Sequence, residues 1–279
     1  MKKKSIILII VSVVLSVFMI WMIWGNLALT VNQYTVESAK FPETLSGFRI
    51  AQISDLHNDE LEEGNVSIIS ALEKADPDVI VITGDIIDRS RTDIDVAIDL
   101  AKKISKIALT CYVSGNHESA LSDEEYADFC KQLTAAGVVV LNNDSIELDR
   151  NGAKVKIVGI SDESFGNIPS DSELKELVDD TDTYTILLAH RPNDFERYTE
   201  FGCDLVLSGH LHGGQFRLPF LGGLYAPSYG LFPEYNGGKY EIGESVMIVS
   251  RGVGNSSFPI RFNNPREIVI IEIINNSQK

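Results

Sequence analysis

The chain opens on an uninterrupted apolar run, Ile6 to Trp24, that carries no charge over 19 residues. At about 1.5 Å per residue such a helix spans about 28 Å, close to the roughly 30 Å hydrocarbon core of a bilayer. Lys2, Lys3 and Lys4 precede it, and Trp21 and Trp24 close it, where indoles favour the interface. Residues 6–24 therefore read as one transmembrane signal-anchor. The positive flank keeps residues 1–5 cytoplasmic and sends the rest outward, giving a single-pass protein of the cell membrane with an extracytoplasmic domain. A cleaved signal peptide would need a shorter apolar core and small residues at the cut, where Trp21, Met22 and Trp24 stand. Residues 25–47 read as a juxtamembrane stalk and 48–279 as one folded domain.

From Phe48 onward, short apolar strands alternate with helical stretches. Arg49–Ser54, Val79–Thr83 and Ala108–Ser114 read as strands. Val79–Thr83 is a continuous β-branched run, the pattern of a strand covered on both faces. Val66–Lys74, Ile94–Ile104 and Asp123–Ala136 carry helical spacing, the last with Ser122 as N-cap. Three further strands follow at Val138–Leu141, Ser145–Leu148 and Lys154–Ile160, with a turn at Asn151-Gly152. Thr185–Ala189, Leu205–Leu207, Val246–Ser250 and Ile268–Ile274 are strands, with short helices at Leu174–Val178 and Asp194–Thr199. A Gly/Pro/aromatic loop fills Gly213–Gly238. It suits either a substrate- or membrane-facing loop or a satellite core beneath a long loop. The order fits an α/β domain of two sheets packed face to face with helices outside.

Composition is that of an ordinary globular protein, with 44% hydrophobic and 23% charged residues. The net charge is -16, and past residue 25 there are 21 cations against 40 anions. Such a surface repels phosphate backbones, which excludes extended nucleic acid as a partner. The three cysteines, Cys111, Cys130 and Cys203, form no CxxC pair, and Cys111 and Cys203 read as buried apolar residues.

Candidate chemistry collects where the strands stop. The segments are Asp55-Leu56-His57, Gly84-Asp85-Ile86-Ile87-Asp88-Arg89, Gly115-Asn116-His117-Glu118, His190-Arg191 and Gly209-His210-Leu211-His212. All five histidines of the chain lie in these segments. C-terminal strand ends are where α/β sheets bind ligands. Imidazoles with carboxylates and one amide, and no thiolate, suit Mn, Zn or Fe. On extended backbone, residues two apart point the same way, so Asp55 with His57 and His210 with His212 could each reach one site. Glycines at 84, 115 and 209 allow tight turns and close approach. Arg89 and Arg191 adjoin the motifs and are candidate phosphate contacts.

These five ordered motifs resemble the calcineurin-like metallophosphoesterases, from about Arg49 to the C-terminus. Gly213-Gly214-Gln215 and Ser250-Arg251-Gly252 further resemble the family's membrane-associated bacterial branch. The resemblance implies a four-layer αββα sandwich with two divalent metal ions. It implies that Asp55, His57, Asp85 and His212 hold one ion, and that Asp85, Asn116, His190 and His210 hold the other. It implies that His117 faces the substrate, stabilises phosphoryl oxygens and protonates the leaving group, and that Asp88 orients His117. Purple acid phosphatases carry tyrosine where Asp88 stands, so an iron(III)–tyrosinate centre is not expected. The expected activity is hydrolysis of a phosphodiester or pyrophosphate, on a lipid-linked or cell-envelope substrate. A broad phosphomonoesterase or nucleotide phosphatase is the alternative, and a non-catalytic metal-binding module a further one.

Overall fold

A computed structural model describes residues 3–150, 152–178, 182–226, 229–255 and 260–277; Lys2 and Asn151, named above, lie outside them. The helices are α1 (Lys3–Leu27), α2 (Val66–Ala75), α3 (Ile94–Ile104), α4 (Asp123–Ala135), α5 (Asp171–Val178) and α6 (Phe195–Glu200). The strands begin with β1 (Leu29–Glu37), β2 (Phe48–Ile53), β3 (Val79–Thr83), β4 (Leu109–Val113) and β5 (Val138–Val140). Next come β6 (Asp144–Arg150), β7 (Ala153–Gly159), β8 (Tyr184–Leu188) and β9 (Leu205–Ser208). Two small ribbons follow, β10 (Arg217–Leu218) with β11 (Gly222–Gly223), and β12 (Tyr225–Ala226) with β13 (Gly230–Leu231). The last strands are β14 (Gly238–Ile242), β15 (Ser245–Val249) and β16 (Arg266–Ile274).

Two six-stranded sheets result, in the orders β1-β16-β2-β3-β4-β5 and β14-β15-β9-β8-β7-β6. Strands β2 to β5 run parallel, as do β7, β8, β9 and β15. The alternation of side chains along each strand divides the interior into layers. Val79 and Val81 face between the sheets with Ile50, Val113, Ile157, Ile186, Leu207 and Ile271. Ile80 and Ile82 point the other way, onto Ile68, Leu72, Ile98, Ala101 and Phe129 of α2, α3 and α4. Leu187, Val206 and Met247 cover α5 and α6 through Leu174, Val178, Phe195 and Tyr198. This is the four-layer αββα sandwich expected from the motifs. Ser122 caps α4 as expected, within a reciprocal capping box with Glu125. Cys111 and Cys203 are buried and free.

One expectation fails. Residues 25–47 are not a stalk. Helix α1 runs to Leu27, and after Ala28 the chain enters β1, which pairs in parallel with β16 over nine residues, from Leu29 opposite Arg266 to Glu37 opposite Ile274. Phe41 is fully buried between the sheets, edge-on to Tyr184 at 5.0 Å. Burying such a ring contributes roughly 1.5–3 kcal/mol, which a free linker would forgo. The segment closes one edge of the first sheet, so the domain begins at the helix.

Helix α1 is long and apolar enough to cross a membrane. Its last turn is joined to the domain. Gly25 is buried, and Trp21 and Phe18 stack on Phe262 at 5.0 and 5.6 Å between ring centroids.

Candidate metal centre

Strands β2, β3 and β4 are neighbours in one sheet and β8 and β9 in the other, and the turns that follow them carry the motif residues. These turns are not extended. Asp55, His57, Asp85, His210 and His212 all have positive φ, between 46° and 73°. The expected convergence of Asp55 with His57 is therefore real, but left-handed turns produce it rather than strand alternation, whereas His210 and His212, expected to reach one site, divide between two clusters. Such backbone costs of order 1–3 kcal/mol per residue and persists where surrounding structure enforces it. Two glycines make room. A Cβ on Gly115 would collide with the Asp85 carboxylate, and one on Gly209 with Ser54 and Asp55.

Glu118 braces the first of these turns. Its buried carboxylate accepts from the N–H groups of Gly115 (2.7 Å), Ile86 (2.8 Å), Asp85 (3.0 Å) and Ile87 (3.3 Å). Burial and the charge of Asp85 push its pKa up to about 7, against the pull of those amides. The His117 N–H donates to Asp85 Oδ1 at 2.7 Å, leaving Oδ2 turned inward. Oδ2 lies 3.2 Å from His190 Nε2, 3.8 Å from His57 Nε2 and 4.0 Å from His117 Nε2.

Two clusters flank that oxygen. In one, Asp55, His57 and His212 converge, with the two Nε2 atoms 3.0 Å apart and Asp55 Oδ1 at 3.9 and 3.6 Å from them. In the other, Asp85, His190 and His210 converge, and Asn116 Oδ1 stands 3.2 Å from His190 Nε2. All seven sequence-expected ligands are thus brought together. Thr83 O sits 2.7 Å from His190 Nδ1 and takes its proton, so the His190 Nε2 lone pair faces the oxygens of Asp85 and Asn116. A set of lone pairs facing one another in a buried pocket calls for a cation, and N/O donors of this kind fit a divalent one.

The charges agree. Burial raises Asp55 to about 6 and lowers His57 and His210 to about 3. Burial also acts to lower His190, but the charge and hydrogen bond of Asp85 override it and push the ring up to about 10. Asp85 itself is held well below the usual range: burial opposes this, and the charge of His190 prevails. Left to their own charges, the residues need a proton where a cation would serve.

His117 borders both clusters, its ring 4.4 Å from that of His57. The Arg89 N–H donates to its Nδ1 at 3.0 Å, which leaves Nε2 as the N–H facing the centre. Asp88 Oδ2 stands 3.6 Å from Nδ1, outside hydrogen-bond reach, while Asp88 Oδ1 accepts from the N–H groups of Ser90 and Arg91. Asp88 thus shapes the turn that presents Arg89, and the Arg89 amide makes the contact expected of Asp88. The guanidinium of Arg89 donates to Asn116 O at 2.8 Å. Arg191 pairs with Asp162 at 2.7 Å and Glu163 at 3.1 Å, and stands 3.4 Å from His210 Nε2.

Sequence reasoning missed one residue altogether. Arg261 is a fully buried guanidinium, with Nη2 3.3 Å from His212 Nδ1 and donating to Gly254 O at 2.6 Å, and Nε donating to Asn255 Oδ1 at 2.9 Å. A lone arginine in a Pro/Asn-rich loop gave no signal of this. The aromatic loop divides. Tyr235 packs on Phe195 and Tyr240 as satellite core, and Tyr229 lies edge-on to His210 at 5.6 Å. Phe220, Leu221, Leu231 and Phe232 are exposed.

Comparison with known proteins gives a consistent picture. The model of the calcineurin-like phosphoesterases matches residues 48–214. The uncharacterized metallophosphoesterase YkuE of Bacillus subtilis is 32% identical over 247 residues, covering 87% of this chain and 84% of its own. Phosphodiesterase YaeI of Escherichia coli is 29% identical over 247 residues, covering 85% and 86%. A zebrafish (Danio rerio) transmembrane protein with metallophosphoesterase domain is 28% identical over 250 residues, covering 83% of this chain and 54% of its own.

Proposed function

The chain belongs to the calcineurin-like phosphoesterases, phosphoester hydrolases that use divalent metals, and from that premise we propose a membrane-anchored phosphodiesterase that holds two ions and acts on a lipid-linked or cell-envelope substrate outside the cytoplasm. The observation that carries the two-ion reading is the position of Asp85 Oδ2, inward-turned between His190 on one side and His57 on the other. Asp55, His57, Asp85 and His212 would hold one ion, and Asp85, Asn116, His190 and His210 the other. When bound, the ions supply an activated water and neutralise charge building on the phosphoryl group.

The protein's own groups do the rest. Glu118 fixes the Asp85 backbone and the His117 N–H holds its carboxylate, so its inward oxygen does not rotate away. His117 presents Nε2–H to a phosphoryl or leaving-group oxygen, its ring held by the Arg89 amide. Arg89 and Arg191 are engaged by Asn116, Asp162 and Glu163. The two carboxylates offset the charge of Arg191, and Arg89, on a neutral carbonyl, is left as the one uncompensated cation of the pair, which suits a monoanionic diester better than a dianionic monoester. The E. coli relative is a named phosphodiesterase, which supports the same choice. The N/O donor set suits Mn, Zn or Fe. Helix α1 and the transmembrane relative support anchoring.

The test uses full-length protein in detergent, stripped with EDTA and reloaded with Mn, Zn or Fe. Hydrolysis of bis(p-nitrophenyl) phosphate should vanish on stripping and return on loading, with two ions per chain by elemental analysis. Turnover that survives stripping, or full activity at one ion per chain, would overturn the reading.

A further inference from the structure

An apolar rim lies on the side of α1 that packs against Phe262, and several independent features give it one character. Phe220 at the tip of the β10–β11 ribbon is fully exposed, and Leu221, Leu231, Phe232, Tyr225 and Ile260 are exposed beside the same loops. Phe220 and Phe232 sit at φ 67° and 54°. Bulky side chains in that region are outliers, and here the strain turns two large rings outward rather than inward.

Negative charge is excluded from the same segments, whose only charged residues are arginines. In a chain with 40 acidic residues, none falls between residues 213 and 233 or between 245 and 266. A solvated surface of this protein would carry several.

Position relative to α1 supplies the depth. Phe262 packs on Phe18 and Trp21, and its backbone is fastened to the loop through Arg217 N–H to Phe262 O at 2.9 Å and Phe262 N–H to Gln215 O at 3.2 Å. Phe18 lies six residues inside the Trp24 end of the apolar run, about 9 Å along the helix. Apolar groups of interfacial proteins sit about 5–10 Å into the head-group and acyl boundary. A loop that packs beside this part of a membrane-crossing helix is therefore at that depth.

We infer that this rim, formed by residues 216–226, 229–232 and 260–262, is a bilayer-insertion surface continuous with α1, and that it holds the metal centre at the level of lipid head groups. The centre is close enough: Arg261, one residue from Phe262, touches His212, and Tyr229 of the same loop lies against His210. The ligand class is then a phosphoester at the head-group end of a membrane lipid, met in place without extraction. This substrate class rests on the anchored-phosphodiesterase reading; the insertion itself does not depend on catalysis.

The test places single spin labels on full-length protein in lipid nanodiscs of phosphatidylethanolamine and phosphatidylglycerol, in a Cys130→Ser background. Labels at Phe220→Cys and Leu231→Cys should collide with oxygen several-fold more, relative to a water-soluble nickel chelate, than a label at Glu147→Cys on β6. Nickel access at 220 and 231 equal to that at 147 would overturn the insertion. Shielding from both reagents would also overturn it, by showing a protein partner on the rim. A Phe220→Ser/Leu231→Ser double variant should keep its rate on bis(p-nitrophenyl) phosphate and lose rate on a lipid phosphodiester in the same discs. Lipid-buried labels with both rates unchanged would leave the insertion standing and sink the lipid-substrate reading alone.

Discussion

The side chain of Asn26, at the end of α1, clasps the backbone of Arg261 from both sides: its Nδ2 donates to Arg261 O at 2.9 Å and its Oδ1 accepts from Arg261 N–H at 2.8 Å. The guanidinium of that same arginine reaches His212. Helix α1 and a candidate metal ligand are thus two contacts apart.

Outer contacts to ligating histidines commonly carry 10–100-fold in metal affinity. Asn26→Ala should lower affinity at the His212 site by about tenfold, and Arg261→Lys by more, toward the upper end of that range. Competition against a fluorescent chelator measures both. Affinities equal to the parent protein would show that Arg261 only fills space.

Asp85→Ala should be the most damaging ligand change, because it removes the oxygen that faces both clusters. Several kcal/mol of lost charge stabilisation corresponds to a fall of about 10³-fold or more in kcat. Elemental analysis should show both ions depleted. Retention of one full ion would confine Asp85 to a single site.

His117→Ala should separate chemistry from metal binding. Metal content should hold while kcat falls roughly 10²–10⁴-fold, with the smaller losses for good leaving groups. Metal loss matching that of His210→Ala would make His117 a ligand.

Glu118→Ala strips four buried N–H groups of their acceptor. At about 1–3 kcal/mol for a buried group left unpaired, the variant should unfold well below the parent in thermal denaturation. An unshifted midpoint would mean that water replaces the carboxylate.

Sidedness is open to protease. Added to intact spheroplasts, it should degrade the domain and spare a short N-terminal fragment. A domain that survives until lysis would reverse the orientation drawn from Lys2, Lys3 and Lys4.

The sequence carried most of the sandwich because its buried strands are β-branched runs with unmistakable period, and α3 falls on Ile94–Ile104 as read from spacing. Strand β1 escaped because it follows the long apolar helix and alternates half-buried Thr30, Asn32 and Tyr34 with exposed neighbours, a pattern easily taken for a linker. The ligands were legible as residue types at strand ends, yet the geometry behind them was not. Left-handed φ at aspartate and histidine leaves no mark in a sequence, since glycine is the only residue that advertises it. Arg261 stayed hidden for a different reason. It is 49 residues from His212 along the chain, and only the return of the chain into β16, between β1 and β2, brings it home.

A single residue, Ala28, separates α1 from β1. A long stalk would let the catalytic domain sweep a hemisphere above the membrane and meet substrates arriving from solution. With α1 set across a bilayer as proposed, a domain joined this closely can do little but spin about its helix and drift with it. Encounter then becomes a two-dimensional problem, governed by lateral diffusion within the leaflet. For an enzyme so mounted, the concentration that sets the rate is counted per unit area. Diluting the substrate lipid with inert lipid should slow it, and adding more vesicles of fixed composition should not.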